Sequence, residues 1–430
     1  MAINMYSIGL DIGTTSICGI LINAKTGELL KSITRDNTSD IKGEKSYEKL
    51  QNPDIIYAET MKILEELYSD NVISIGISGQ MHGILYLDKD GNAVSPLYIW
   101  QDGRGDLAYQ NTTYAGFLEA HTGYGNVTNF YNEQNNLVPE NAVVYCTIGD
   151  FIAIKLAGVN VPTVHSTNAA SLGCYDFSEN KFSIKNNLLP EITTDYSVVG
   201  KYKNTPVSVS IGDNQASFIG SVYDNDCVLV NVGTGSQVSY ITDKPEAVSG
   251  LEVRPYVENK YLMAGCALCG GRSFAILEQF FGKIVSMAIN EEPKNLYKIM
   301  DKILENPVEN TLVFDNKFSG SRENPALRGS ISNISIDNFT PEHFMIGIIY
   351  GIANELFDMY KNSGKTCKAL IGSGNGVRRN EALKKVFSEI FGSEINIPKV
   401  NEEASFGAAL FSLVAVGFYE SIEKAQELNR

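Results

Sequence analysis

DIGTTS at residues 11–16 is the stretch that decides the fold, because a near copy, NVGTGS, returns at residues 231–236. Each motif follows a short apolar run, at residues 6–10 and 228–230, and precedes a second alternating run. This pattern is typical of a strand, a tight turn and a strand that returns beside the first. Glycine lets the backbone approach an anion closely, and the Thr and Ser hydroxyls add donors without adding charge. The repetition therefore predicts one phosphate-holding device built twice, once in each half of the chain.

The composition is that of a large, acidic globular protein. At 430 residues with 43% hydrophobic content, the chain is too long for one ordinary core, and we expect two domains of about 200 residues, 1–204 and 205–430, with a cleft between them. The net charge of −15, without a basic stripe, argues against a nucleic-acid partner. No apolar stretch reaches the roughly 20 residues of a membrane span, and the N-terminus lacks a secretory signal pattern. We therefore expect a soluble, cytoplasmic protein with no membrane partner.

Apolar residues alternate between strand spacing and helix spacing along both halves of the chain. In the first half, strands are predicted at residues 6–10, 17–23, 29–34 and 72–77, with an amphipathic helix at residues 53–68. In the second half, strands are predicted at residues 207–211, 228–232, 237–241 and 369–371, with a helix at residues 343–361. Polar residues follow several of these strands, at the position where an α/β sheet presents its ligands. The pattern predicts an α/β fold in each half.

SGKT at residues 363–366 contains the end of a Walker nucleotide-binding loop. Met359 stands where that motif needs its first glycine, and the segment follows a predicted helix instead of a strand. A glycine that ends a helix with a basic last turn is the better interpretation. We therefore place no phosphate site there.

Five motifs, taken in order, resemble those of the FGGY carbohydrate kinases. They are DIGTTS (11–16), GDNQA (212–216), NVGTGS (231–236), GSGNG (372–376) and ASFGAA (404–409). The resemblance covers essentially the whole chain. It implies two ribonuclease-H-like (actin-like ATPase) domains flanking a central cleft that holds ATP. The sugar-binding segment and the first phosphate turn would then lie in residues 1–204, and the catalytic aspartate, the second phosphate turn and the adenosine site in residues 205–430.

Within that family, some stretches are similar to particular subfamilies. SGQMHG at residues 78–83 resembles the sugar-binding segment of xylulokinases and sedoheptulokinases, whereas WQDGR (100–104), TGYG (122–125) and NAAS (168–171) are more similar to sedoheptulokinases. The resemblance implies phosphorylation of sedoheptulose to sedoheptulose 7-phosphate by ATP. The alternatives are a xylulokinase making xylulose 5-phosphate, a non-catalytic sugar sensor of the same fold, or an actin-like ATPase. Asp11 and Asp213 argue against the sensor, and the sugar-binding segment argues against the actin-like ATPase.

Asp213 is the candidate general base. It follows the predicted strand at residues 207–211, between Gly212 and Asn214, at a strand end. A carboxylate there could accept the proton of an attacking sugar hydroxyl, or it could merely cap the helix that begins near Gln215. From the residues alone, both readings stay open. The resemblance implies catalysis, because Asp213 matches the catalytic aspartate of the family.

The resemblance also implies the ATP and metal ligands. The ATP-binding residues would be Gly13, Thr14, Thr15, Ser16, Gly233, Thr234, Gly235, Ser236, Gly374, Asn375 and Gly376. Asp11 and Asp213 would hold Mg²⁺, Asp11 through water, since Mg²⁺ needs only one or two carboxylates beside phosphate oxygens. The basic residue that follows the first turn in glycerol kinases is missing at residues 17–18. The second turn and the metal would therefore carry more of the phosphate charge.

A polyhydroxylated sugar needs both donors and acceptors from its site. The residues assigned to it are Gln80, Met81, His82, Asp102, Asp213 and Asn214. Trp100, the one tryptophan, could stack on the face of the sugar or belong to the core. The expected partners are the sugar and ATP, and a homodimer is compatible with the sequence.

Overall fold

The computed structural model describes residues 5–291, 295–321, 324 and 326–430. The strands are β1 (Tyr6–Ile12), β2 (Ser16–Asn23), β3 (Leu29–Asp36), β4 (Asp40–Ile41), β5 (Leu50–Gln51), β6 (Val72–Gly79), β7 (Leu85–Leu87), β8 (Leu97–Tyr98), β9 (Ala108–Tyr109), β10 (Thr112–Thr113), β11 (Val144–Cys146), β12 (Thr163–His165), β13 (Tyr175–Asp176), β14 (Lys181–Phe182), β15 (Glu191–Thr193), β16 (Val198–Tyr202), β17 (Thr205–Ser208), β18 (Ile211–Gly212), β19 (Cys227–Val232), β20 (Ser236–Thr242), β21 (Glu252–Pro255), β22 (Tyr261–Ala267), β23 (Val313–Asp315), β24 (Ser330–Ser332), β25 (Ala369–Ser373) and β26 (Ile395–Asn396). The helices are α1 (Pro53–Leu67), α2 (Tyr114–Phe117), α3 (Gly125–Gln134), α4 (Ile148–Ala157), α5 (Ser166–Ser171), α6 (Asp213–Ser221), α7 (Gly271–Ile289), α8 (Tyr297–Leu304), α9 (Pro341–Lys361), α10 (Gly374–Arg379), α11 (Glu381–Phe391), α12 (Glu403–Ala415) and α13 (Ile422–Gln426). Short 3₁₀ helices lie at Gly103–Asp106 and Glu427–Asn429.

The chain forms two compact units, and each is built from more than one stretch of sequence. Unit 1 contains the chain up to Asp224, together with Arg254–Tyr261 and Glu402–Arg430. Unit 2 contains Asn225–Val253 and Leu262–Asn401. The predicted boundary between residues 204 and 205 therefore lies inside unit 1. Helices α6 and α12 lie on the unit 1 side of this division, although both come after that boundary in the sequence.

The main sheet of unit 1 has the strand order β16-β17-β6-β1-β2-β3, with β18 also pairing with β6. β1 and β2 form the predicted antiparallel hairpin, and β6 lies parallel to β1 on its other side. Apolar side chains of β1 and β6, such as Ile8, Leu10 and Ile75, are fully buried in the core of this unit. Central strands buried on both faces read as near-continuous apolar runs, which is why the sequence located them well.

Helix α12 lies very close to the sheet and to helix α6. A Cβ atom added at Gly9 in β1 would meet the carbonyl oxygen of Ser405 at 1.8 Å, and one added at Gly407 would meet that of Ala216 at 1.8 Å. These distances are far inside van der Waals contact, so only glycine fits at either position. The glycine of the ASFGAA motif thus brings the backbones of α12 and α6 together.

The main sheet of unit 2 includes the strand order β22-β20-β19-β25-β26. β19 and β20 are an antiparallel hairpin, and β25 lies parallel to β19 on its other side. β20, β19 and β25 are thus arranged like β2, β1 and β6 of unit 1. The repeated turn therefore connects equivalent strands in the two units. The core includes Val230, Val232 and Leu356, the last on the long helix α9. The prediction of an α/β fold in each half is confirmed.

Most predicted elements agree with the structure within a few residues, and one prediction needs correction. The strand expected at residues 207–211 is two strands, β17 and β18, because the chain leaves the ladder at Val209 and Ser210 before it pairs with β6 again. SGKT at residues 363–366 follows helix α9, as expected for a helix terminus. None of the helices within the described ranges is long and apolar enough to cross a membrane.

Candidate active site

The parallel strands β1, β6 and β18 of unit 1 end at the same edge of the sheet. A predicted site residue lies at or just after the end of each strand. β1 pairs with β6 so that Asp11 lies opposite Ser78. β18 pairs with the same end of β6, with Gly212 opposite Gly79. Asp11 and Asp213, assigned from distant parts of the sequence, are thereby brought together, and the residues that follow β6 join them. A ligand site at the carboxyl edge of parallel strands is the usual arrangement in α/β folds.

Asp11 lies close to other carboxylates. The Ser78 hydroxyl donates to Oδ1 of Asp11 at 2.7 Å. Desolvation and, after it, the negative charge of Asp213 raise the pKa of Asp11 to about 7, with a smaller contribution from Glu402 and an opposing one from the Ser78 hydrogen bond. A carboxyl whose pKa is raised by burial and by nearby negative charges marks a place where a cation would be stabilised.

Asp213 is the first residue of helix α6. The cap position is Gly212, and no side chain caps this helix terminus, so the helix-cap alternative for Asp213 is not supported. The Asn214 side-chain amide donates to Oδ1 of Asp213 at 2.8 Å. Desolvation raises the pKa of the Asp213 carboxyl, which is opposed by the Asn214 hydrogen bond and by the positive charge of Arg254. A partly desolvated carboxylate at a helix N-terminus is suited to accept a proton from a hydroxyl.

Arg254 is a residue that the sequence analysis missed. It is buried, lies in the short stretch of unit 1 at Arg254–Tyr261, and acts electrostatically on Asp213. One of its guanidinium nitrogens is 4.0 Å from Sδ of Met81, in the sugar-binding segment. An isolated arginine next to a proline carries no motif that would have identified it. Its contact with this segment and its effect on Asp213 appear only in the folded chain.

The side chain of Gln80 joins the first phosphate turn to the sheet. Its Oε1 accepts from the Thr14 hydroxyl at 3.1 Å, and its Nε2 donates to Oε1 of Gln51 at 2.9 Å. The Trp100 indole N–H donates to the same Thr14 hydroxyl at 3.1 Å. Trp100 is 46% exposed, so of its two alternatives the structure does not support a place in the core, and its ring is open to a ligand.

His82 and Met81 lie next to this network. His82 has a φ of +74°, a conformation that is uncommon outside glycine and that often marks a functional turn. Its Nδ1 is 2.8 Å from the carbonyl oxygen of Ser171, which assigns the ring proton to Nδ1, and its ring stacks on Tyr124 at 4.4 Å. The Asn214 amide approaches Sδ of Met81 at 3.7 Å, so the sugar-binding segment contacts the residue beside the base.

The contacts of Asp102 do not favour the sugar-binding role predicted from the sequence. It is fully buried, and both carboxylate oxygens are already occupied. Oδ1 accepts from Nε of Arg104 at 2.6 Å, while Oδ2 accepts from Nη2 of the same guanidinium at 3.2 Å and from the Lys49 N–H at 3.1 Å. A buried carboxylate paired in this way holds the neighbouring chain in place. Asp102 therefore positions the segment that carries Trp100 and has little capacity left for a sugar hydroxyl.

The carbonyl groups of the first phosphate turn are held by side chains. The Asn37 amide donates to the carbonyl of Gly13 at 3.0 Å, and the Gln51 amide donates to that of Thr14 at 2.8 Å. The backbone N–H groups of Thr14 and Thr15 have no acceptor among the residues that the structure describes. Because the carbonyl oxygens are held by hydrogen bonds and the N–H groups are open, the turn forms an anion-binding concavity.

The second turn is supported by the start of helix α7 instead. The N–H of Gly271 donates to the carbonyl of Gly233 at 2.8 Å, and that of Gly270 donates to Thr234 at 3.0 Å. Three residues separate the paired positions 232 and 236, whereas four separate the paired positions 12 and 17 in the first turn. The two devices thus match in layout but differ in length by one residue. In the described part of the chain, the buried Oγ of Ser236 has no hydrogen-bond partner, as expected of a group that awaits a ligand.

The GSGNG motif lies beside this second turn. β19 and β25 are parallel, with Asn231 opposite Ser373, and the Asn231 amide donates to the Ser373 hydroxyl at 2.7 Å. Gly374 then begins helix α10 with a φ of +80°, and a Cβ atom there would meet the carbonyl oxygen of Val232 at 2.7 Å. The predicted phosphate and adenosine segments of unit 2, including Asn375 and Gly376, therefore follow adjacent strand ends.

Comparison with protein-family models identifies the family of this chain. The N-terminal domain of the FGGY family of carbohydrate kinases matches residues 6–229, and the C-terminal domain of the same family matches residues 228–416. The chain belongs to the FGGY family of carbohydrate kinases. It is therefore a sugar kinase, that is, a phosphotransferase, and the predicted family and fold are confirmed.

Relatives in this family differ in their named substrates. A sedoheptulokinase of Mus musculus is 26% identical over 96% of this chain and 98% of its own length. A xylulose kinase of Staphylococcus xylosus is 25% identical over 98% of this chain and 93% of its own. The solved structure of xylulose kinase from Lactobacillus acidophilus has the same fold, with a TM-score of 0.84 and 20% identity over 99% of this chain and 92% of that one.

Proposed function

We propose that this FGGY kinase transfers the terminal phosphoryl group of ATP to a ketose, converting sedoheptulose to sedoheptulose 7-phosphate in the cytoplasm. The observation that carries this proposal is the position of Asp213 at the same sheet edge as the segment that contains Gln80, Met81 and His82. A base beside a polar sugar-binding segment is what transfer to a hydroxyl requires.

The choice of sedoheptulose is supported by sequence similarity. The murine sedoheptulokinase aligns with nearly the whole of both chains, and three short stretches of this sequence resemble that subfamily. The second candidate is xylulose, favoured by the comparably long match to the staphylococcal xylulose kinase. Both candidates leave the reaction and its residues unchanged, because they differ only in the sugar.

In the proposed reaction, the residues of the protein chiefly position groups and stabilise charge. Gln80 and His82 orient the sugar, with the indole of Trp100 against it. Asp213 accepts the proton of the attacking hydroxyl, and Asn214 holds its carboxylate in place. The open N–H groups of the first turn are the phosphate ligands of unit 1, and Thr234 and Gly235 of the second turn are the corresponding ligands of unit 2.

The carboxylates fit a divalent cation of the kind that ATP brings. No group of three or more His, Cys, Asp and Glu side chains forms a metal cage within the residues described. Mg²⁺ usually keeps several waters and takes one or two carboxylates beside phosphate oxygens. Asp11 and Asp213 provide that number, and burial together with the negative charge of Asp213 raises the pKa of Asp11. When bound, the ion would neutralise phosphate charge.

The proposal is tested by ADP release in the presence of ATP and Mg²⁺ with sedoheptulose, xylulose, ribulose, fructose and glycerol. We expect the highest kcat/KM with sedoheptulose. A preference for xylulose would keep the reaction and replace the substrate. Folded protein that releases no ADP with any of these sugars would contradict the proposed activity.

Replacement of the base separates catalysis from binding. Asp213→Ala should lower kcat by about 10²- to 10⁴-fold, because the hydroxyl proton then has no positioned acceptor. Binding of the sugar, measured by calorimetry without turnover, should change little. Exposed Asp90→Ala, on a turn outside the site, is the control and should have normal kcat. Normal turnover in Asp213→Ala would exclude Asp213 as the base.

A further inference from the structure

A cavity of about 790 Å³ in unit 1 extends from the first phosphate turn. Its lining includes Thr14 and Thr15 of that turn, Gln101 next to Trp100 in the chain, and three lysines, Lys42, Lys45 and Lys49. Nothing in the proposed reaction uses these lysines. They come from one segment, residues 42–49, which we call the lysine loop.

The charge of this cavity differs from that of the whole protein. The chain has 35 Lys and Arg against 50 Asp and Glu, whereas the cavity lining contains three lysines against two carboxylates, Asp40 and Glu48. Both carboxylates already accept hydrogen bonds from protein groups. Within the ranges that the structure describes, none of the three lysines forms an ion pair. The cavity thus holds cations without protein partners in an otherwise acidic molecule, which attracts an anion.

The lysine loop is a fixed part of the fold. Oε2 of Glu48 accepts from the backbone N–H groups of Glu44 and Lys45 at 2.7 and 3.0 Å, which closes the loop. The Ile99 N–H donates to the carbonyl of Lys49 at 3.1 Å, and the buried carboxylate that pairs with Arg104 accepts from the Lys49 N–H. The loop is therefore tied to the segment that carries Trp100. Because the backbone of the loop is already held, only the lysine side chains have to be ordered when a ligand binds.

The anion has to suit the groups that face it. The cavity lining includes Thr14 and Thr15, whose backbone N–H groups are open, and also Gln101. Its volume accommodates a phosphorylated sugar of five to seven carbons. The side chains of Ile17 and Cys18, which stand where glycerol kinases carry a basic residue, are buried in β2 and supply no charge.

We propose that the lysine-lined cavity is a binding site for a phosphate monoester, namely the phosphate group of the phosphorylated sugar, held by Lys42, Lys45 and Lys49. The site would supply the cation that the first turn lacks, and it would retain the product after transfer. The identity of that sugar rests on the proposed function, whereas the anion site itself does not. The same phosphate chemistry could instead come from the end of ATP.

The test is a direct titration that needs no turnover. Inorganic phosphate and ribose 5-phosphate serve as probes, followed by ³¹P NMR, with the wild-type protein and the triple variant Lys42→Met/Lys45→Met/Lys49→Met. We expect the dissociation constant of both probes to rise about tenfold in the variant, because each exposed cation contributes modestly. The matched control is Lys201→Met, which replaces an exposed lysine on β16 outside the cavity. It should leave the dissociation constants of both probes unchanged.

The kinetic arm identifies the source of the phosphate. Weaker product inhibition in the triple variant with an unchanged KM for ATP supports the site and assigns it to the sugar phosphate. A raised KM for ATP with unchanged product inhibition supports the site and assigns it to the nucleotide. Equal affinity of the variant and the wild type for both probes, with the fold intact by circular dichroism, would overturn the proposal. Since the titration uses no sugar acceptor, it tests the anion site even if the protein phosphorylates no ketose.

Discussion

At the scale of single residues, the candidate site depends on how charge is balanced around Asp213. Desolvation pushes its pKa up, while the cation of Arg254 pushes it down. A carboxylate can act as a base only in its ionised form. Arg254 therefore keeps a desolvated base ready at lower pH than burial alone would allow.

The pH dependence of kcat/KM tests this role. In Arg254→Met the Asp213 pKa should rise, so that the acidic limb of the profile moves to higher pH. Arg254→Lys keeps a positive charge and should move the limb less. The same acidic limb in all three proteins would show that Arg254 does not act on the base.

At the scale of elements, the packing of helix α12 against α6 depends on a close backbone approach. Besides Gly407, Gly220 contributes from the α6 side, where a Cβ atom would meet the carbonyl oxygen of Glu403 at 2.0 Å. Glycines facing each other across two helices leave no room for a methyl group without separating the helices. The crossing cannot relax locally, because α12 also lies against β1 and β6.

Gly407→Ala tests this packing, because helix propensity and steric overlap predict changes of opposite sign in the free energy of unfolding. Helix propensity alone would stabilise the variant by about 1 kcal/mol. We expect instead a loss of about 3 kcal/mol in the free energy of unfolding, measured with urea, because the methyl group overlaps the Ala216 carbonyl. Gly392→Ala is a control with open space around the Cβ but a φ of +66°, and it should cost only about 1 kcal/mol. A stabilised Gly407→Ala protein would contradict the proposed close approach.

Helix α4 carries a buried carboxylate that makes stability depend on pH. Asp150 closes the capping box of this helix with Thr147, and burial raises its pKa from 3.8 to about 7. The folded state then holds a proton that the unfolded state releases, so this group lowers stability as pH rises from about 4 to 7. Asp150→Asn keeps an acceptor for Thr147 without the ionisation.

We expect Asp150→Asn to gain stability relative to the wild type between pH 5 and pH 8, by about 2–4 kcal/mol. Urea unfolding at both values measures the change. Asp88 provides a control of opposite sign, since hydrogen bonds from Asn92 and Asp90 lower its pKa. Asp88→Asn should therefore lose stability relative to the wild type as pH rises from acid to neutral. A pH-independent difference for Asp150→Asn would show that Asp150 is ionised in the folded protein.

At the scale of the whole molecule, the features predicted from the sequence are the repeated turns and the elements with a regular spacing of apolar residues. The two glycine turns, the strands that flank them and the helices α1 and α9 were located, because each has a local signature in spacing or composition. The candidate base was also located, since it follows a strand directly. Its neighbour Asp11 was assigned from the first turn, and the register of β1, β6 and β18 explains why the two meet.

Other parts of the site could not be predicted because they depend on contacts between distant segments. Arg254 acts on Asp213 from a stretch with no motif of its own. Asp102 looked like a sugar ligand, but its oxygens are taken by Arg104 and by a backbone group that lies far away in sequence. Likewise, the boundary of unit 1 depends on where helix α12 packs, which hydrophobic spacing does not encode.

The position of α12 also has a consequence for biosynthesis. The Ser7 hydroxyl of β1 lies 3.4 Å from the carbonyl of Ala409, a contact between residues 402 positions apart. At about 5–20 residues per second, a ribosome needs roughly 20–80 s to make the intervening chain. Throughout that time, the face of β1 and β6 that α12 will cover has no partner from its own chain. The apolar side chains on that face therefore stay without their native cover until translation is almost complete.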